Sequence, residues 1–171
     1  MKIVSLDPSS SVIGYAVIDG AAIGAAALDA AGLITPADGR HPSYRRIRDM
    51  CADLLELLEA NAPEVILIEW SKGKVGRRHK GRGAGLAVYG AGVGAALVTA
   101  DTWSGIHGQS ATVIPILEND WTRGVPKQRR SAWVAAQYPQ YNPAQDPGGD
   151  VADAIGLARY WVKTSLLNAK R

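Results

Sequence analysis

Cysteine is almost missing from this chain. The lone Cys51 can close no internal disulfide and build no cysteine zinc site, which excludes a secreted disulfide scaffold and fits a reducing, cytoplasmic setting. A signal-peptide stretch is lacking too: Met1-Lys2 leads into only Ile3-Val4-Ser5-Leu6 before Asp7-Pro8, so the mature chain is expected to begin here. The longest charge-free run is residues 83–100, and five of its 18 residues are glycine. Gly and Ala give such a run little drive into lipid, so it is predicted to be a buried helix of a protein with no membrane partner. Repeats and low-complexity tracts are absent. His41, His79 and His107 show no ligand spacing and receive no chemistry. The Gly83-Gly85 and Gly90-Gly92-Gly94 pairs have no strand immediately before them and no Gly-Lys-Ser/Thr, which argues against a nucleotide cofactor.

A large net charge is also lacking, since 19 basic residues meet 16 acidic ones for a total of +3. The placement of that charge says more. Lys72, Lys74, Arg77, Arg78, Lys80 and Arg82 follow one another with no acid between them. Arg123, Lys127, Arg129 and Arg130 form a second cluster, and Arg40, Arg45, Arg46 and Arg48 a third. One such run is commonly solvated surface. Three in a near-neutral chain favour a polyanion partner, because clustered cations release counterions when they meet phosphate.

With 171 residues there is room for one domain, 1–171. Residues 2–7 and 12–19, rich in β-branched side chains and split by Pro8-Ser9-Ser10-Ser11, predict an antiparallel hairpin, with a third strand within 21–28. Ile47, Met50, Cys51, Leu54, Leu57 and Leu58 recur at helical spacing over 44–60, between Ser43 as a cap and Asn61-Ala62-Pro63 as a stop. Val65-Ile66-Leu67-Ile68 predicts a strand buried on both faces and ending at Glu69. In the next helix Leu86, Tyr89, Val93 and Leu97 form one face and Gly83, Ala87, Gly90 and Gly94 a smooth one. Both faces are expected to be buried, the smooth one against another element or subunit. A strand at 112–117 and helices at 127–137 and 151–168 complete the chain, the last with Val151, Ile155, Ala158, Val162 and Leu166 inward. Trp103, Trp121, Trp133 and Trp161 are expected in or near the core, while Trp70 and Tyr44 stand near the elements predicted to face a nucleic acid. The order predicts an α/β fold with a mixed five-stranded sheet flanked by helices.

Four acids fall at the edges of these elements: Asp7 ends the first strand, Glu69 the fourth, and Asp150 and Asp153 open the last helix one turn apart. Singly, each has a local explanation in a turn, a strand end or a helix dipole. Together, four close carboxylates without a cation repel one another and raise their own pKa values, so their natural use is to hold hard divalent ions. Two Mg²⁺ ions about 3.5 to 4 Å apart can activate a water and stabilise the leaving oxygen of a phosphodiester.

Three stretches carry a resemblance: Ser5-Leu6-Asp7-Pro8-Ser9-Ser10-Ser11-Val12-Ile13-Gly14-Tyr15-Ala16-Val17, Ile66-Leu67-Ile68-Glu69 and Gly149-Asp150-Val151-Ala152-Asp153-Ala154. They resemble the acidic motifs of RuvC-type Holliday junction resolvases, in the RNase H-like/retroviral integrase superfamily. The resemblance implies an RNase H-like fold and a homodimer that nicks four-way DNA junctions with Mg²⁺ or Mn²⁺. It further implies that Asp7, Glu69, Asp150 and Asp153 are the catalytic metal ligands, and that the helix from Gly83 lies at the dimer interface. A lysine near the scissile phosphate is another family feature, which Lys127 or Arg130 could supply. The chain departs from the family in Ser9, where a glycine is common, a variation associated with phage-like members. It departs again after Glu69, where bacterial relatives carry an aromatic wedge and this chain has Trp70 followed by its basic run. Three other readings stand beside this one: a nuclease of structured RNA, a catalytically silent DNA-binding module, and a sugar-kinase-like or actin-like ATP-binding fold. The last duplicates its domain and has no room here.

Overall fold

The computed structural model describes residues 1–21, 27–70, 83–108 and 110–168, with side chains except at 83, 84 and 166–168. Strands β1 (Lys2–Pro8), β2 (Ile13–Asp19) and β3 (Leu28–Ile34) form an antiparallel meander, while β4 (Val65–Trp70) and β5 (Thr112–Leu117) add in parallel on the other side of β1. The sheet order is β3-β2-β1-β4-β5. Every strand except β2 therefore points the same way.

Period-two alternation sorts the side chains onto two faces. Val4, Leu6, Ile66 and Ile68 pack against Met50, Leu54 and Leu58 of α1 (Ser43–Asn61) and Ala96, Ala100 and Trp103 of α2 (Gly83–Ile106). Ile3, Val65 and Leu67 pack on the opposite face against Val134 of α4 (Lys127–Gln137) and Ile155 and Ala158 of α5 (Asp150–Asn168). The sheet is thus covered by helices on both sides. β4 is buried along its apolar length because it sits between β1 and β5 with a helical layer on each face.

Several expectations need correction. The third strand is Leu28–Ile34, later than 21–28; its Asp29 and Ala30 are exposed, because an edge strand paired on one side needs no strict alternation. Ser43 is already helical, and Pro42 occupies the cap position with its carbonyl accepting from the Arg45 and Arg46 amides. At the other end the stop is a left-handed Ala62, whose N–H donates to Leu58. Within the single chain the two faces of α2 are not both buried: Val93 is enclosed and Tyr89 and Leu97 half-enclosed, but Leu86, Ala87 and Gly90 are exposed and Gly94 is half-buried. Among the described residues nothing covers Gly90 or Ala87 on that smooth side. Trp133 is exposed, whereas Trp103 is buried and Trp121 and Trp161 half-buried. Val151, Ile155, Ala158 and Val162 point inward on α5; the side chain of Leu166 lies outside the described residues. Among the described residues no helix is long and apolar enough to cross a membrane.

Candidate active site

The two faces of the sheet decide where the acids go. Asp7 continues the Ile3, Ser5 alternation on β1, and Glu69 continues Val65, Leu67 on β4, so both lie on the side covered by α5. The parallel register Leu6↔Ile68 places them on neighbouring strands, one residue further on. Across β1, Asp7 pairs with Gly14 of β2. A Cβ at Gly14 would stand 2.2 Å from the carbonyl oxygen of Asp150, so only glycine lets the first turn of α5 rest on this strand pair. The helix start is fixed further by buried Asp146, whose carboxylate accepts from the Asp150 and Ala152 amides and from the Tyr141 hydroxyl. Ser5, also buried, donates to the Ala154 carbonyl.

These contacts gather Asp7, Glu69, Asp150 and Asp153 at one end of the sheet. Lys127, the first residue of α4, stands among them: its Nζ is 2.7 Å from Asp150, 3.1 Å from Asp153 and 3.8 Å from Asp7. Arg130, one turn later, grips both oxygens of Asp153 at 2.7 Å and donates to the Val125 carbonyl. Its guanidinium stacks over Trp121, 5.1 Å from the ring centroid. Trp121 in turn donates its indole N–H to Glu69 at 2.9 Å. It belongs to the short helix α3 (Glu118–Thr122) and packs where Gly156 of α5 leaves no side chain in the way.

The electrostatics follow from the crowding. Burial, then the negative charge of Glu69, holds the Asp7 carboxyl well above its ordinary range, with Lys127 acting against them. Glu69 is pushed up to about 7, first by burial and then by Asp153 and Glu118, against the Trp121 hydrogen bond and Arg130. Burial works against the charge of Lys127, yet the Asp150 hydrogen bond and the surrounding carboxylates hold it above the usual lysine value. The Tyr89 hydroxyl of α2 is pushed up to about 12 by burial and then by Asp7, Glu69 and Glu118, so it faces the same acids as a neutral group.

Hard oxygen donors in this number suit a divalent cation. Among the described residues, however, no group of three or more His, Cys, Asp or Glu side chains stands arranged to hold one. The Lys127 ammonium instead stands 2.7 to 3.8 Å from three of the carboxylates.

The basic residues divide. Lys127 and Arg130, expected on DNA, are turned onto the acids, while Arg123 and Arg129 of the same cluster are exposed. In the third cluster Arg40 pairs with Asp38, Arg48 with Asp49, and Arg45 is exposed. Lys72, Lys74, Arg77, Arg78, Lys80 and Arg82 lie outside the described residues, in the connection leaving β4 after Trp70. Because β3, β4 and β5 run the same way as β1, all three basic clusters follow in sequence a strand that ends on the Asp7 side. Sequence reasoning missed Trp121, Asp146, Gly14 and Tyr89 as parts of this site.

Glu69 gives a pH test. A carboxyl raised from 4.5 to about 7 contributes stability fully below the unfolded value, and that contribution is lost as pH rises through about 7. Without divalent metal, Glu69→Gln is therefore expected to be more stable than wild type at pH 8, by up to about 3 kcal/mol, with the advantage vanishing near pH 4. Chemical denaturation at the two pH values in a chelator checks this, and a variant less stable at pH 8 contradicts it.

Solved structures share this architecture. The chain is similar to T. thermophilus RuvC in complex with Holliday junction substrate, with a TM-score of 0.65 and 18% identity, covering 96% of each chain. It is also similar to a Thermus thermophilus RuvC structure, with a TM-score of 0.66 and 17% identity, over 96% of this chain and 97% of that one. No family model matches the chain, and no curated protein matches it in sequence. The chain thus has a RuvC-like fold, the RNase H-like arrangement of a mixed five-stranded sheet flanked by helices.

Proposed function

We propose that this chain, as one nuclease domain over 1–171, is a divalent-metal-dependent endonuclease that resolves four-way or other branched DNA. The observation that carries the reading is the convergence of Asp7, Asp150 and Asp153 around Lys127, with Glu69 on the strand beside Asp7, at the end of the sheet where β3, β4 and β5 are followed in sequence by the basic clusters. The neighbour solved with a Holliday junction substrate supports branched DNA as the partner.

The four carboxylates fit Mg²⁺ or Mn²⁺ by their chemistry: they are hard donors, buried at Glu69 and Asp153 and half-buried at Asp7 and Asp150, and burial together with neighbouring acids holds Asp7 and Glu69 above their ordinary pKa range. Asp7, Glu69, Asp150 and Asp153 would hold two ions, which when bound lower the pKa of an attacking water and offset charge on the leaving oxygen. The chain's own part is positioning. Trp121 fixes one oxygen of Glu69, Arg130 fixes Asp153 while resting on Trp121, and Asp146 holds the start of α5 that presents Asp150. Lys72, Lys74, Arg77, Arg78, Lys80 and Arg82 supply phosphate contacts, joined by exposed Arg123 and Arg129. The smooth side of α2, with exposed Ala87 and Gly90 and half-buried Gly94, suits close packing against a second copy, and a dimer would present two such sites to a symmetric junction.

The test compares a four-way junction, matched duplex and folded RNA, each with Mg²⁺ added and withheld. Nicking of the junction alone, only with Mg²⁺, is expected. Preferential cleavage of the RNA moves the activity to the RNA-processing alternative. Salt-sensitive binding without hydrolysis under any divalent ion reduces the chain to a binding module. Replacing Arg77 and Arg78 with Ala is expected to lower the salt dependence of junction binding by up to about two counterions. An unchanged slope in a binding titration places that connection off the DNA.

A further inference from the structure

The two cations in the acid cluster are held in different ways. Arg130 is almost enclosed, forked onto Asp153, hydrogen-bonded to the Val125 carbonyl and stacked on Trp121. Lys127 has no such frame. Among the described residues its ammonium pairs with carboxylates alone, its side chain is 38% exposed, and a flexible four-carbon stem carries it from the first residue of α4. The stem lies against Gly149, where a Cβ would come within 3.0 Å of its Cε and 3.1 Å of its Cγ. A side chain at Gly149 would therefore collide with the stem of Lys127.

The position of the ammonium is what matters. A divalent ion takes carboxylate oxygens at about 2.0 to 2.6 Å. An ion shared by Asp7, Asp150 and Asp153 would need the space that Nζ fills at 2.7 to 3.8 Å from the same three groups. Ion and ammonium are therefore alternatives. We propose that Lys127 is the internal counter-ion of the carboxylate cluster before metal binds, and the group a divalent cation must displace, its half-exposed side chain swinging out toward solvent.

This inference rests on the divalent-metal reading of the site. It deepens that reading: Lys127 tunes the metal threshold of the protein, because a competent site that is only fractionally free binds with an affinity lowered by that fraction. It also keeps the acids from repelling one another while the site waits, which is a stabilising role in the metal-free state.

Calorimetric titration with Mn²⁺, without DNA, tests it. Lys127→Gln is expected to bind Mn²⁺ about tenfold or more tightly than wild type, and to unfold at a lower temperature than wild type in chelator. Lys127→Arg, which keeps the charge, is expected to show no such gain. A second readout uses the wild-type protein, so it stands even if the glutamine variant fails to fold. Acylation of Lys127 by an amine-reactive reagent, followed by mass spectrometry, is expected to accelerate when Ca²⁺ saturates the site. Mn²⁺ affinity in Lys127→Gln equal to or below wild type, or Lys127 acylation that is unchanged or slowed by Ca²⁺, overturns the displacement while leaving the metal site standing. Failure of every form to bind a divalent ion removes the metal reading itself, and this inference with it.

Discussion

Asp7→Asn and Glu69→Gln are each expected to reduce the proposed Mg²⁺-dependent nicking of a four-way junction by roughly three orders of magnitude or more, with junction binding staying within a few-fold of wild type. The two effects separate because the substitutions remove oxygen donors and charge from the acid cluster but leave the basic connections untouched. Both residues sit on strands flanked by buried, fully apolar neighbours, Leu6 and Ile68, so the isosteric amides have no route to shifting the backbone. Wild-type nicking rates in both variants, measured under single-turnover conditions, would remove the carboxylates from the chemistry.

The second large effect concerns Gly14, which carries no functional group. Its missing Cβ is the space occupied by the carbonyl of Asp150, at 2.2 Å from oxygen and 2.3 Å from carbon. The obstructing atoms are backbone and cannot rotate away. Gly14→Val is expected to destabilise the protein by about 3 kcal/mol or more, and to lower nicking beyond what the unfolded fraction explains, because α5 must lift away from β2 and carry Asp150 with it. Denaturation midpoints and activity per folded molecule check both parts. A valine variant as stable as wild type would mean that α5 does not rest on the β1–β2 pair.

Much of the architecture was legible because burial leaves a periodic signature. The apolar run of β4 announces a central strand, the spacing from Ile47 to Leu58 announces α1, and Lys127–Gln137 is the range expected for α4. Where the signature fades, the reading slipped. β3 is an edge strand of Leu-Asp-Ala-Ala-Gly-Leu-Ile with exposed positions, so nothing in its pattern outweighs the apolar residues just before it. Glu118–Thr122 is too short for any period to register, and with it went Trp121.

The acids could be found by reasoning about strand ends and a helix start, since alternation fixes the face on which Asp7 and Glu69 emerge. Their supports could not. The hydrogen bond from Trp121 to Glu69 spans 52 positions, and the grip of Arg130 on Asp153 spans 23. No local spacing encodes such meetings. Lys127 shows the same gap from the other side: a basic run reads as a phosphate surface, yet the fold turns two of its members onto carboxylates and leaves Arg123 and Arg129 outward.

The most direct measurement is the anomalous scattering of Mn²⁺ in crystals of this protein grown or soaked with that ion. The account predicts density bounded by the oxygens of Asp7, Glu69, Asp150 and Asp153, with the ammonium of Lys127 moved out of its place among them. Manganese bound only elsewhere, or an acid cluster that keeps Lys127 at its centre at saturating ion, would contradict it.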